Sequence, residues 1–382
     1  MKHPLAQRAL RSSPARRLTT QLIAAQRTPE DLFTPFGDVA ALERDGVVPL
    51  IEARGDRRIA FVVPPFRRGS GGHTTIANLV RGLEARGHPC EVWLHDPQGA
   101  SGGAASFNAF FGPFEAPVHD DLTTWSGAGV AVATGWQTVA PVLRLGRCEA
   151  RAHLVQDDEP EFYPASAERL WAEQAFRLPA LTAGTWLAER MRARGLTATP
   201  FDLGIDHATY RPRPDLTRAD RVLFYARAAT PRRAVPLGLL ALNELHARRP
   251  HTEIALYGDA APITAPFQLT QLGILDPPAV ALAYAEAGAG LVLSLTNHSL
   301  VAQEMVACGL AAVELRTPST EAAFGDSPIE LAEATPGALA AALERVLDER
   351  GARAQAGHEW AATRTWEAAA AAVEAGLEAA RP

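Results

Sequence analysis

Gly290-Leu-Val-Leu-Ser-Leu-Thr-Asn-His-Ser-Leu-Val-Ala-Gln-Glu-Met-Val-Ala-Cys-Gly-Leu-Ala-Ala-Val-Glu314 is the stretch whose reading decides the fold. Leu291 to Ser294 reads as a buried strand, Thr296 to Ser299 as a polar turn, and Leu300 to Cys308 as a helix carrying Glu304. Gly309 stops that helix and a second strand, Ala312 to Leu315, follows. A polar turn that feeds a helix N-terminus at the end of a parallel strand is a ready anion site. A carboxylate inside the same helix suits a sugar hydroxyl.

The pattern repeats on both sides. Upstream lie candidate strands Val222 to Tyr225 and Glu253 to Tyr257, with helices Val235 to Ala247 and Ala279 to Ala287. Downstream, Gly337 to Leu347 reads as a helix, and the alanine-rich Trp360 to Ala380 as one or two more. The first half has the same grammar. Ile59-Ala-Phe-Val-Val63 is a continuous apolar run ended by prolines, as a central parallel strand requires. The glycine-rich turn Gly69 to His73 leads to a helix with Ile76, Leu79, Val80 and Leu83 at helical spacing, stopped by Gly87. Strands are expected at Val92 to Leu94, Val130 to Ala133, Ala152 to Val155 and Ala180 to Ala183. Helices are expected at Thr138 to Leu145 and Trp186 to Arg194. Such alternation means an α/β chain with doubly wound parallel sheets and right-handed crossovers.

A chain of 382 residues exceeds one ordinary core, so two domains are expected. The divisions are a helical extension (1–55), a first Rossmann-like domain (56–206), a proline-rich linker (207–220), a second Rossmann-like domain (221–357) and terminal helices (358–382). Strand carboxyl ends of both domains should face a shared cleft.

The net charge of -6 argues against a nucleic-acid partner. Cys90, Cys148 and Cys308 lie far apart, without the paired spacing of a zinc or disulfide framework. Free thiols, no apolar run near 18 residues and no export signal point to the cytoplasm. The basic arm of Arg8, Arg11, Arg16 and Arg17 suits anionic lipid headgroups, and with them peripheral contact at the inner membrane.

Three loops carry chemistry. Gly71-Gly72-His73 is no dinucleotide or Walker loop, yet its glycines let backbone N–H groups approach a phosphate or sugar. Tyr225-Ala-Arg227-Ala-Ala-Thr-Pro-Arg232-Arg233 presents guanidinium forks suited to a diphosphate without a metal. His153-Leu-Val-Gln156-Asp157-Asp158-Glu159-Pro160-Glu161-Phe162-Tyr163-Pro164 follows a buried strand. Its adjacent acids diverge and lack an Asp-x-Asp arrangement, so no metal is expected there. No Gly-x-Ser-x-Gly elbow or His-Glu-x-x-His pair supports a hydrolase or zinc protease.

The Thr296 to Glu304 segment, the Arg227 loop and the Gly71-Gly72 turn together resemble GT-B glycosyltransferases of the retaining family-4 group. Val155 to Pro164 resembles the Val-Gln-Asp-x-Glu-Pro-x-Phe-Tyr-Pro signature of bacterial rhamnosyltransferases that build surface polysaccharides. Thr134 to Thr138 and Leu203 to Asp206 resemble segments of the same branch, and the likeness spans Arg57 to about Leu347.

The resemblance implies a nucleoside-diphosphate sugar donor, dTDP-rhamnose, and a glycan or lipid-linked glycan acceptor, with transfer by retention and no cofactor. It places the donor at Gly71, Gly72, Arg227, Arg232, Arg233, Gly258, Thr296, Asn297, His298, Ser299 and Glu304. It places the acceptor at His73, Glu159 and Tyr163, and the reacting centre at Gln156, Asp157 and Arg227. The family pattern has two glutamates separated by seven residues. Thr296 stands at the first of those positions, where it cannot hold a negative charge. Two other readings fit the architecture: a sugar-nucleotide epimerase, and a catalytically inert glycan-binding module.

Overall fold

The computed structural model describes residues 36–381. The expected helical extension and its basic arm therefore lie outside the described residues up to position 35. Helix α1 (Gly37–Asp45) precedes the first domain. That domain runs β1 (Ile59–Val63), α2 (Gly71–Ala85), β2 (Cys90–Leu94), α3 (Gly103–Phe111), β3 (Val118–His119), β4 (Ala128–Ala133), α4 (Trp136–Arg144), β5 (Cys148–Val155), α5 (Ala167–Gln174), β6 (Ala180–Ala183), α6 (Thr185–Ala193) and β7 (Ala198–Phe201). Its seven strands are ordered β3-β2-β1-β4-β5-β6-β7 and pair in parallel throughout.

The second domain runs β8 (Arg221–Tyr225), α7 (Val235–Arg248), β9 (Glu253–Tyr257), β10 (Thr270–Gln271), α8 (Pro277–Glu286), β11 (Ala289–Leu291), α9 (Leu300–Ala307), β12 (Ala312–Leu315), α10 (Pro318–Phe324), β13 (Glu330–Ala332) and α11 (Pro336–Asp348). Its six strands, ordered β10-β9-β8-β11-β12-β13, are also parallel. Each sheet is covered on both faces, which is why β1 and β4 are buried along their whole length. Burying each large apolar side chain of these strands contributes about 1.5–3 kcal/mol.

Two helices end the chain. Helix α12 (Arg350–Ala362) packs on α9, and α13 (Trp366–Ala379) returns to the first domain against α2 and β7. The expected boundary between 357 and 358 falls inside α12. The turn comes instead at Thr365, whose hydroxyl caps α13 by accepting from Ala368 N. There Ile205 N donates to Arg364 O at 3.1 Å and Ile205 pairs with Thr365, so both crossings between the domains run side by side. Glu374 of α13 takes Arg86 and His88, and Arg381 reaches Glu149 at 2.9 Å beneath the first sheet.

One strand differs from its expected extent. The ladder of β11 ends at Leu291, not Ser294. Ser294 N is bonded by the Glu314 carboxylate at 2.8 Å, so that N–H is withdrawn from strand pairing.

Candidate functional site

The site is built where the loop after β8 meets the loop after β5. Beyond Tyr225 the chain turns through a short 3-10 segment, Pro231–Arg233, bringing two guanidinium groups to the sheet edge. Arg232 stacks over the Phe162 ring at 4.1 Å, its Nε 3.6 Å from Asp157 Oδ2. Burial first, then the positive charges of Arg233 and Arg227, pull Arg232 below the usual guanidinium range, with Asp157 opposing them. Arg233 donates from Nη1 to Ser294 Oγ at 2.7 Å and lies over Tyr225 at 5.6 Å. Among the described residues no carboxylate pairs with half-buried Arg227 or with Arg233; Asp157 is the one within ion-pair distance of the cluster, while Glu159 and buried Glu314 act on it from further away.

Gly258 frames the same edge. Its φ of +101° suits glycine, and a Cβ there would stand 2.6 Å from the Tyr225 ring. Any side chain would push away the ring on which Arg233 lies.

Asp157 bridges the domains. Its Oδ1 accepts from Asn297 N at 2.9 Å and its Oδ2 from Thr296 Oγ1 at 3.1 Å. Burial raises its pKa, against Arg232 and these bonds, which favour the charged form. Asn297 is buried with all four side-chain valences used. Its Nδ2 donates to Gln156 O and Ala183 O, both at 2.9 Å. Its Oδ1 accepts from Ser319 Oγ at 2.6 Å and His298 Nδ1 at 3.1 Å. The amide expected to contact the donor therefore holds the two domains together.

His298 is buried, with a pKa lowered to about 4 by burial and by Arg364, so its ring is neutral at pH 7. Its Cε1 faces Gly184 of the first domain, where an added Cβ would approach to 2.8 Å. Ser299 precedes the first turn of α9, and its buried Oγ has no hydrogen-bond partner among the described residues. Glu304, half-buried one turn further on, has no donor on its carboxylate among the described residues. Burial, then the charge of Asp206, raises it to about 8.

On the first domain, Gly71 and Gly72 open α2. Space beside Gly71 is open, and Gly72 O accepts from Gln156 Nε2 at 3.2 Å. Three expected acceptor residues are engaged by the protein itself. His73 contacts Ser70 Oγ at 2.7 Å and Pro64 O at 3.3 Å and stacks on Phe111; burial lowers it to about 4. Glu159 accepts from Trp136 N at 2.6 Å, bonding a free N–H at the start of α4, and burial lifts it to about 7. Tyr163 Oη accepts from Trp136 Nε1 at 3.0 Å. These contacts shape the wall beside Asp157.

Among the described residues no group of three or more His, Cys, Asp or Glu is placed to hold a metal ion. A cavity of about 550 Å3 lined by Asp38, His95, Asp96, Asp120 and Arg144 shares none of the residues above. Glu314, Ser294 and Ser319 also support the site, through bonds that local sequence does not reveal. A lone glutamate inside the apolar run Ala312–Leu315 was the available signal.

Residues 220–344 match the family model of the WsaF C-terminal domain. None of the curated protein sequences matches the chain. Among solved structures, HepE of Anabaena in complex with UDP and glucose superposes with a TM-score of 0.66 at 14% identity, over 85% of this chain and 100% of that one. A glycosyltransferase from Rickettsia africae gives 0.62 at 11% identity, over 85% and 98%. An O-GlcNAc transferase from Thermobaculum terrenum gives 0.57 at 12% identity, over 90% and 73%. Two parallel α/β domains that superpose on these structures make this the GT-B fold of glycosyltransferases.

Proposed function

We propose that the protein is a glycosyltransferase that moves a sugar from a nucleoside diphosphate to a hydroxyl of a glycan acceptor. One observation carries this reading: Arg227, Arg232 and Arg233 gather at the domain junction, where among the described residues Asp157 is the one carboxylate within ion-pair distance of them. Such a surplus of guanidinium charge at a cleft suits the diphosphate that departs when the glycosidic bond breaks. Ser299 and the N-terminus of α9 add neutral donors for the same group, and Glu304 is placed to accept from a ribose hydroxyl. That HepE was crystallised with UDP and with UDP-glucose supports a nucleotide-sugar partner for this chain.

Within this reading the sugar is rhamnose and the donor dTDP-rhamnose, on the strength of the Val155 to Pro164 string. Transfer proceeds with retention, the departing phosphate helping to deprotonate the acceptor hydroxyl, and guanidinium groups rather than a divalent ion take up the leaving charge. The acceptor lies along Gly72, Gln156 and the wall of Glu159 and Tyr163. The work belongs to surface-polysaccharide synthesis at the cytoplasmic face of the inner membrane.

The test is release of free nucleoside diphosphate from a panel of nucleotide sugars, with and without EDTA. Activity is expected with a dTDP-sugar and unaffected by EDTA. Arg227→Ala and Glu304→Ala should each lower kcat/KM by about 100-fold or more with folding intact. Normal turnover in both variants would show the donor site to be elsewhere. A second reading, an inert glycan-binding module, is favoured by Asp157 occupying Thr296 and Asn297, so that protein groups fill part of the cleft. Turnover of any nucleotide sugar would eliminate it.

A further inference from the structure

Glu314 lies fully buried on β12, between β11 and β13 of the second sheet. A carboxylate there is costly, and an apolar side chain of similar size would serve packing at least as well. Its surroundings say what it does. Oε1 accepts from Ser294 N at 2.8 Å and Leu315 N at 2.9 Å, and Oε2 from Ser294 Oγ at 3.0 Å. Among the described residues no Lys, Arg or His pairs with it directly. Its nearest link to positive charge runs through the serine hydroxyl, which accepts from Arg233 Nη1 at 2.7 Å.

With Glu314 ionised, the direction of this chain is fixed. A guanidinium can only donate and a charged carboxylate can only accept, so the single Ser294 proton then points to Glu314. The oxygen lone pair is then turned to Arg233. Arg227 has no comparable anchor among the described residues, and Arg232 is drawn toward Asp157.

We propose that Glu314 and Ser294 are a positioning pair that fixes one edge of Arg233, leaving its remaining N–H groups aimed at the diphosphate of the donor. This rests on the donor site assigned above. Removing the Glu314 charge frees the hydroxyl to rotate, and Arg233 must then be ordered by the ligand at the ligand's expense.

Calorimetric titration of the full chain with dTDP and UDP, alongside thymidine and uridine followed by NMR line broadening, separates the outcomes. Ser294→Ala and Glu314→Gln should each weaken nucleoside diphosphate binding about tenfold while leaving the nucleosides within twofold. Ser294→Ala combined with Arg233→Ala should bind no worse than Arg233→Ala alone. Equal losses for diphosphate and nucleoside would mark a merely structural pair and overturn the proposal. So would Arg233→Ala losing affinity while the other two variants keep it. If Arg233→Ala binds normally, or neither diphosphate binds the unaltered protein, the donor reading itself fails and the positioning pair falls with it. Should Glu314→Gln fail to fold, Ser294→Ala, which keeps the carboxylate, decides the matter.

Discussion

Replacing Asn297 with alanine removes a side chain whose every polar valence is used. Two of its four bonds cross between domains, to Gln156 O and Ala183 O, and two stay within the second domain, from Ser319 and His298. A net value of about 1 kcal/mol per hydrogen bond gives about 4 kcal/mol if nothing replaces them. Water entering the vacated volume can satisfy some of the stranded groups, so a loss of about 3 kcal/mol is expected. Ser319→Ala is the internal control. It loses its bonds to Asn297 Oδ1 and from His298 N but removes no hydrogen bond between the domains, and should cost about 1–2 kcal/mol. Urea unfolding followed by circular dichroism and tryptophan fluorescence gives both values, with midpoints taken separately if the domains unfold apart. The cost should be larger for Asn297→Ala, with the domains less coupled than in Ser319→Ala. A loss below about 1 kcal/mol for Asn297→Ala would mean that the amide is not fully bonded. Its assignment as the interdomain staple, rather than a donor contact, would then be wrong.

Other consequences follow from the same contacts. Gly184→Ala places a Cβ 2.8 Å from His298 at a φ of +92°, and should cost roughly 2 kcal/mol in urea unfolding; an unchanged midpoint would deny the contact between domains. Burial raises Glu304 to about 8, and Glu159 and Glu314 to about 7. Carboxyls raised in the folded state stabilise it below their unfolded values and lose that contribution as pH rises through the folded ones. Buried His73, His153 and His298, lowered to about 4, oppose this up to their unfolded value of 6.5. The melting temperature should therefore fall from pH 6.5 to 8, less steeply in Glu304→Gln; parallel curves for the two proteins would refute the assignment to Glu304.

Much of the fold was legible because parallel strands covered on both faces must be apolar throughout. Ile59–Val63 and Val222–Tyr225 announce themselves, and Gly87 and Gly309 close their helices where left-handed backbone is required. The edge strands Val118–His119 and Thr270–Gln271 are two residues long and not buried, so no apolar run marks them. Helix Gly103–Phe111 begins with paired glycines at positive φ, a loop signature on any local reading. The alanine-rich tail hid its break because periodicity continues through it. What divides it is Thr365, a cap that gains meaning only beside Ile205.

For the site, residue type was legible and valence was not. Asp157, Thr296, Asn297 and Arg232 stand out in the sequence as polar groups after buried strands, and the fold brings all four together. The sequence cannot say how many of their hydrogen-bonding positions the protein uses for itself, because the bonds that join the domains span long stretches of chain, 140 residues from Asn297 to Asp157 and 114 from Asn297 to Ala183. Asn297 has none left, whereas among the described residues the Glu304 carboxylate and the Ser299 hydroxyl keep theirs. A buried hydroxyl without a partner is a cost that folding alone does not repay, and a ligand atom accepting from it would remove that cost. Unsatisfied valences, more than residue identity, therefore separate the groups that can receive a donor from those that hold the cleft in shape. By that measure Arg227, Ser299 and Glu304 fit the proposed donor contacts, while Asp157 and Asn297 hold the cleft in shape.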